Sequence, residues 1–294
     1  MDINALQAFT AVAERCSFSE AAAQLHLTQP AVSKRIRQLE NELDTRLFDR
    51  IARRVQLTEA GRALLPSAHR ILLEVSESRR RLANLSGRVA GTLSIGTSHH
   101  IGLHRLPGLL RRYTRRYPDV DLDLHFLDSE EGCHRVEHGE LELALVTLPQ
   151  RTPPALLTTS VWDDPLTLVV ATDHPLAAQS QQGLATLAGY PAILPAQGTF
   201  TRGLVEQSMH AHGLYPTVRL ETNYLETIRS MVSIGLGWSA LPRTMLDDSL
   251  CALSTAELSL VRKLGFVQHR ARTLSNAAQA LMREASEDEP DPFG

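Results

Sequence analysis

Four groups of side chains in this 294-residue chain have types and spacings that suit chemistry: two histidine clusters, a run of cations, and a set of hydroxyls and amides beside glycine-rich turns. His134-Arg135-Val136-Glu137-His138 fits the H-x-x-E-H pattern, which on a helix sets two imidazoles one turn apart for a metal ion, with a carboxylate as base. A five-residue match is a weak signal even with Cys133 beside it, and the helix that carries it is expected on the surface, so a metalloprotease is set aside and a metal-responsive regulator is kept as an alternative. His99-His100-x-x-x-His104 has chelating spacing too, although a pocket imidazole donating a hydrogen bond to a ligand is the preferred reading there. The chain contains no G-x-S-x-G elbow, Walker loop or G-x-G-x-x-G turn, and no Ser-His-Asp set follows from spacing. No catalytic residue, cofactor or metal is therefore assigned.

The cations are best understood through the elements that must present them. Leu6, Phe9, Val12 and Ala13 recur at helical spacing, Ser17 and Glu20 have capping-box spacing for a short second helix, and Thr28 caps a third that tolerates Pro30 in its first turn. On the third helix Val32, Ile36, Leu39 and Leu43 form one apolar stripe. Pro30, Lys34, Arg37 and Asn41 lie opposite, flanked by Ser33 and Gln38, a cationic and amide-bearing face of the kind that reads base edges and phosphates. Leu47 to Arg50 and Arg53 to Leu57 are two short extended runs, a wing that brings Arg50, Arg53 and Arg54 toward phosphate or the minor groove.

The order Ala21-Ala22-x-x-Leu25-x-x-Thr28-Gln29-Pro30-Ala31-Val32-Ser33-x-x-Ile36-x-x-Leu39-Glu40-x-x-Leu43, followed by Leu47-Phe48-x-Arg50 and Val55-x-Leu57-Thr58-x-Ala60-Gly61, closely resembles the LysR-type transcriptional regulators. Cys16 and Asp44 stand where that family commonly has Gly, and Thr28 where it commonly has Ser. The resemblance implies that Gln29, Pro30, Ser33 and Lys34 face the major groove of double-stranded DNA, with Arg50 and Arg53 on the wing. Arg37 joins them from the helical wheel alone.

The expected domains are a winged helix-turn-helix over 1–57, a linker and dimerisation helix over 58–90, an effector-binding domain over 91–286 and a disordered acidic tail over 287–294. Leu64, Ala68, Ile71, Val75, Leu82 and Leu85 follow coiled-coil steps, with a kink expected at Pro66, so a homodimer and an interrupted palindromic operator are predicted. A homotetramer through the effector domains is expected as well, and RNA polymerase is a further candidate partner. From Gly91 strands and helices alternate as in an α/β fold with a parallel sheet. The resemblance implies two Rossmann-like lobes joined by two crossing strands, like the type 2 periplasmic binding proteins, with lobe I at 91–162 and 266–286 and lobe II at 163–265.

Ligands of such sheets bind beyond the carboxyl ends of strands and at helix N-termini. That rule selects Thr97, Ser98, His99, His100, Thr147, Gln197, Gly198, Thr199, Phe200, Asn223 and Tyr224, donors suited to a small carboxylate effector, with His99, His100 or Arg202 adding charge. The net charge of -3 conceals an asymmetry, since residues 1–90 hold 14 Arg and Lys against 10 Asp and Glu. The three cysteines have no paired spacing, and no apolar run reaches the roughly 18 residues of a membrane span, which predicts a cytoplasmic protein without membrane contact. The basic head and the absence of an export signal count against a solute-binding protein.

Overall fold

The computed structural model describes residues 2–51, 54–178, 183–253, 258 and 260–287. The chain divides into two compact units, Met1–Ser86 and Gly87–Gly294. In the first, α1 (Ile3–Arg15), α2 (Phe18–Gln24) and α3 (Gln29–Glu42) precede a two-stranded antiparallel ribbon, β1 (Phe48–Ile51) and β2 (Arg54–Leu57), and the helix α4 (Glu59–Asn84). The predicted caps form: Ser17 Oγ accepts from Glu20 N at 3.3 Å and Thr28 Oγ1 from Ala31 N at 3.4 Å. Each satisfies one of the N–H groups that a helix start leaves free.

Phe9, Val12, Val32, Ile36, Leu39 and Phe48 close a core on which Leu64, Ala68 and Ile71 of α4 also pack. The expected seam is therefore divided. Its first half belongs to the DNA-binding unit's own core, and its far end leaves Leu82 and Leu85 70% and 83% exposed. The helix runs unbroken through Pro66, about 39 Å long at 1.5 Å per residue.

In the second unit β3 (Gly91–Thr97), β4 (Val120–Phe126) and β5 (Leu143–Thr147) are parallel, with β3 in the middle. Two helices follow β3, α5 (His99–His104) and α6 (Leu106–Arg116), with the break at Arg105 ahead of Pro107. α7 (Ser129–His138) joins β4 to β5. Two strands longer than expected, β6 (Leu156–Ala171) and β11 (Leu260–His269), run antiparallel to each other through the whole unit. With β9 (Ser239–Pro242) and β10 (Leu250–Leu253) they make one seven-stranded mixed sheet rather than a purely parallel one. Beyond them lie α8 (Leu184–Ala188), the parallel pair β7 (Ala192–Leu194) and β8 (Val218–Glu221), α9 (Phe200–His210) and α10 (Leu225–Ser233), while α11 (Asn276–Ser286) returns to the first lobe's core. α8 and β10 lack a sequence signal strong enough to have been predicted.

The crossing strands approach closely at a register shift between Leu264 and Gly265. A Cβ on Gly265 would stand 2.2 Å from the Thr159 carbonyl oxygen, a backbone atom that cannot step aside, so only glycine fits there.

Cys16 and Asp44, the two departures from the family's glycines, both adopt left-handed backbone, with φ of 50° and 48°. An L-residue there costs about 1–2 kcal/mol, against about 0.5–1 kcal/mol of extra backbone entropy lost when glycine is ordered. Aspartate tolerates this region better than cysteine does. Cys16→Gly is therefore expected to stabilise the first unit by about 0.5–1 kcal/mol, read as a higher denaturation midpoint for that unit in the full chain; a lower midpoint would contradict it.

Candidate functional site

On α3 the exposed side chains are Gln29, Pro30, Lys34, Arg37, Gln38 and Asn41, as the helical wheel requires, together with Glu42 at the last turn. Ser33 differs: it is 8% exposed, and its carbonyl accepts from Arg37 Nε at 3.3 Å, because the flank it occupies turns toward Phe18 and Phe48. Arg35 is half-buried. Glu40, on the inner side, ties α3 to the wing, its Oε1 accepting from Leu47 N at 2.8 Å. Arg50 lies on β1 opposite Val55 with its side chain outside the described set, and Arg53 falls outside the described residues altogether.

A second site lies in the other unit, between its lobes. Sheet order places β3 between β4 and β5, so the β3–β4 connection runs to one side of β3 and the β4–β5 connection returns across it to the other, and the carboxyl end of β3 lies at the kind of strand-order reversal where α/β sheets bind ligands. A small cavity of about 50 Å³ opens there. Ser98, His99, His100 and Thr147 line it from the first lobe, Thr199 and Asn223 from the second, six of the positions chosen from sequence. Ser98 and Thr199 sit at N-cap positions, yet neither side chain caps its helix, which leaves Ser98 Oγ unspent on capping while Thr199 Oγ1 donates to Ala196 O at 2.8 Å.

Other expected positions do not meet the cavity. Thr97 is fully buried and donates its hydroxyl to Leu145 O at 3.0 Å. Gln197 is absent from the lining, Phe200 contributes its backbone rather than its ring, and Tyr224 packs against His99 with ring centroids 4.8 Å apart. Arg202 is buried between Glu206 and Glu221, at 2.6 and 2.5 Å, so its charge is already met. His100 adds no charge either: burial first, then Arg262, His104 and Arg105, push its pKa down to about 2.

The lining also contains residues the sequence reading missed: Asp128, Ser129, Glu130, Thr201 and Arg262. The first three follow the end of β4, where the strand-end rule applies as it does after β3. Arg262 comes from the crossing strand β11 and carries no local signal. Its Nε donates to Asp164 Oδ2 at 2.5 Å and its Nη1 to Thr201 Oγ1 at 3.1 Å. Nη2 is buried and reaches no acceptor among the described residues.

Among the contacts that link the lobes across the cleft, two lie beside the cavity. Asn223 Nδ2 donates to Asp128 Oδ2 at 2.7 Å while its Oδ1 accepts from Ala196 N at 2.8 Å, which fixes the amide's orientation because both partners are unambiguous. Glu130 Oε1 accepts from Phe200 N at 2.5 Å at the start of α9, so a carboxylate of the chain itself occupies the helix end chosen for a ligand. The H-x-x-E-H helix holds no comparable group: His138 Nδ1 donates to the His134 carbonyl at 2.9 Å and the two rings stack.

A helix-turn-helix with a wing, joined to a two-lobed α/β domain with a polar cleft, defines a DNA-binding regulator of the LysR class. The family model described as "Bacterial regulatory helix-turn-helix protein, lysR family" matches residues 3–62, and "LysR substrate binding domain" matches residues 86–289. The chain belongs to the LysR family of transcriptional regulators. It is 65% identical over 107 residues, 36% of its length and 74% of the relative's, to an uncharacterised HTH-type transcriptional regulator of the ibpB-leuC intergenic region of Azotobacter vinelandii. A full-length OxyR of Pseudomonas aeruginosa, solved as a cysteine-to-aspartate variant, has a similar fold, with a TM-score of 0.73 at 23% identity and 99% of each chain covered. Full-length CbnR complexed with its target DNA has a TM-score of 0.64 at 22% identity, covering 97% of this chain and 99% of that one. Among the described residues no helix is long and apolar enough to cross a membrane.

Burial raises the pKa of Glu130 above the ordinary carboxylate value, while its hydrogen bond from Phe200 opposes the shift. An acid with a raised folded pKa favours the folded state in its protonated form, and that advantage is lost as pH rises through the folded value. Glu130→Gln keeps an acceptor for Phe200 N–H without the charge. Its melting temperature is expected to exceed that of the parent at pH 7.5, with the gap closing as pH falls below the ordinary glutamate range; a gap of the same size at both ends would contradict the assignment.

Proposed function

We propose that this LysR-family regulator is a non-enzymatic, sequence-specific DNA-binding protein controlled by a small carboxylate between the lobes of its second unit. DNA reading is assigned to the exposed face of α3, with Lys34, Arg37 and Gln29 as the side chains that reach base edges and phosphates. Ser33, being mostly buried, serves to seat the helix. The target DNA in the CbnR complex supports double-stranded DNA as the partner.

The observation that carries the effector class is Arg262 Nη2, a buried guanidinium nitrogen without an acceptor among the described residues, in a cavity also lined by Ser98, Thr147 and Thr201. A buried donor left unpaired costs about 1–3 kcal/mol, and a ligand oxygen would recover much of that. About 50 Å³ holds little more than a water or two, so a carboxylate larger than that must part the Asn223–Asp128 and Glu130–Phe200 contacts. A ligand that binds the parted lobes better than the joined ones shifts the balance by its difference in affinity. The exposed far end of α4, with Leu82 and Leu85, supports the homodimer and with it the interrupted palindrome; the tetramer and RNA polymerase stand as proposals on the class alone.

Lys34→Ala is expected to lower the ratio of operator to random-DNA affinity by about 1–3 kcal/mol, and an unchanged ratio in salt-matched binding assays would remove the face assignment. In a thermal-shift screen of small carboxylates, a ligand that raises the melting temperature of the full chain should lose about tenfold in affinity in Ser98→Ala. If the shift survives intact in Ser98→Ala and Thr201→Val, the ligand lies elsewhere.

A further inference from the structure

At the edge of the cavity, which His100 also lines, three side chains converge that DNA reading does not use. His100 and His104 are one turn apart on α5, and their rings lie 4.7 Å from each other. Glu226 reaches them from α10 in the opposite lobe, its Oε1 standing 3.1 Å from His104 Nε2 and 3.9 Å from His100 Nδ1. The three donor atoms lie within 4.8 Å of one another, and among the described residues this is the only group of three or more His, Cys, Asp or Glu donors so disposed. A metal ion held about 2.0–2.2 Å from nitrogen and oxygen ligands places adjacent donors about 3.0–3.5 Å apart, so a small rotamer adjustment completes the geometry.

We propose that His100, His104 and Glu226 bind a divalent transition-metal ion that ties the two lobes together. Two imidazoles at i and i+4 with one carboxylate are the donor set of open zinc sites, leaving a fourth position for water or a ligand. Calcium and magnesium, which prefer an all-oxygen shell, fit poorly. His100 supports the assignment on its own: it is 5% exposed, and its Nδ1, aimed at the carboxylate, has no hydrogen-bond partner among the described residues. Arg262 and Arg105 are cations that oppose further positive charge there, and Arg262 is paired with Asp164. Because the ligands come from both lobes, the ion favours the joined arrangement, opposite to the parting assigned to the carboxylate. The site does not depend on that assignment, and metal uptake is measured without any carboxylate present.

The test is equilibrium dialysis of the tag-free full chain against Zn(II), with His104→Ala, Glu226→Gln and His134→Ala beside it. One ion per chain is expected, with affinity reduced at least tenfold in His104→Ala and Glu226→Gln and unchanged in His134→Ala. Metal-free melting curves matching the parent's show that the variants are folded, and Glu226→Gln, altering a partly exposed carboxyl, keeps the test informative if His104→Ala fails to fold. No uptake by the parent overturns the proposal. So does uptake that survives both variants, or that is lost in His134→Ala.

Discussion

The buried ion pair between Asp164 and Arg262 is the interaction on which the second unit turns. The two residues face each other in register on the crossing strands β6 and β11, 2% and 6% exposed, with Nε and Oδ2 2.5 Å apart. Removing either partner would leave a charge stranded in the interior at a cost of about 3–5 kcal/mol. A hydrophobic pair could hold two strands as well. What the ion pair adds is a guanidinium fixed by one edge to its carboxylate, with its other nitrogens delivered to the cleft.

That placement follows from topology. Among the described residues β6 and β11 are the strands that run through both lobes, so any group at their crossing is shared by both, and Gly265 lets the two backbones approach where the lobes meet. The crossing therefore sets the distance between the carboxyl ends of β3, β4 and β5 and the starts of α9 and α10. Asn223, Glu130 and the His104–Glu226 contact all span that distance. A change in lobe separation moves every one of them together.

The first unit obeys a different constraint. Its helices are short, so their position depends on caps at Ser17 and Thr28 and on a core that α4 completes with Ala68. The cost of left-handed Cys16 and Asp44 is offset by that core, and the polar face of α3 is left exposed. Burial of Ser33 belongs to the same packing.

Helical and strand periodicity, capping residues and the order of the N-terminal motif were enough to define the winged helix-turn-helix, the alternating α/β unit and six of the cavity's residues, because each of those features is encoded within a few neighbouring positions. Thr97 and Gln197 lie off the cavity lining because the strand-end rule locates loops and says nothing of where each side chain turns. Arg262 could not have been found that way: it lies 98 residues from Asp164 and 61 from Thr201, and only the crossing of β6 and β11 makes them neighbours. Glu226 joins His100 and His104 by the same route. Local chemistry wrote the elements into the sequence, whereas the charge in the cleft and the histidine cluster at its lip depend on contacts between segments remote in the chain, which the tertiary structure alone decides.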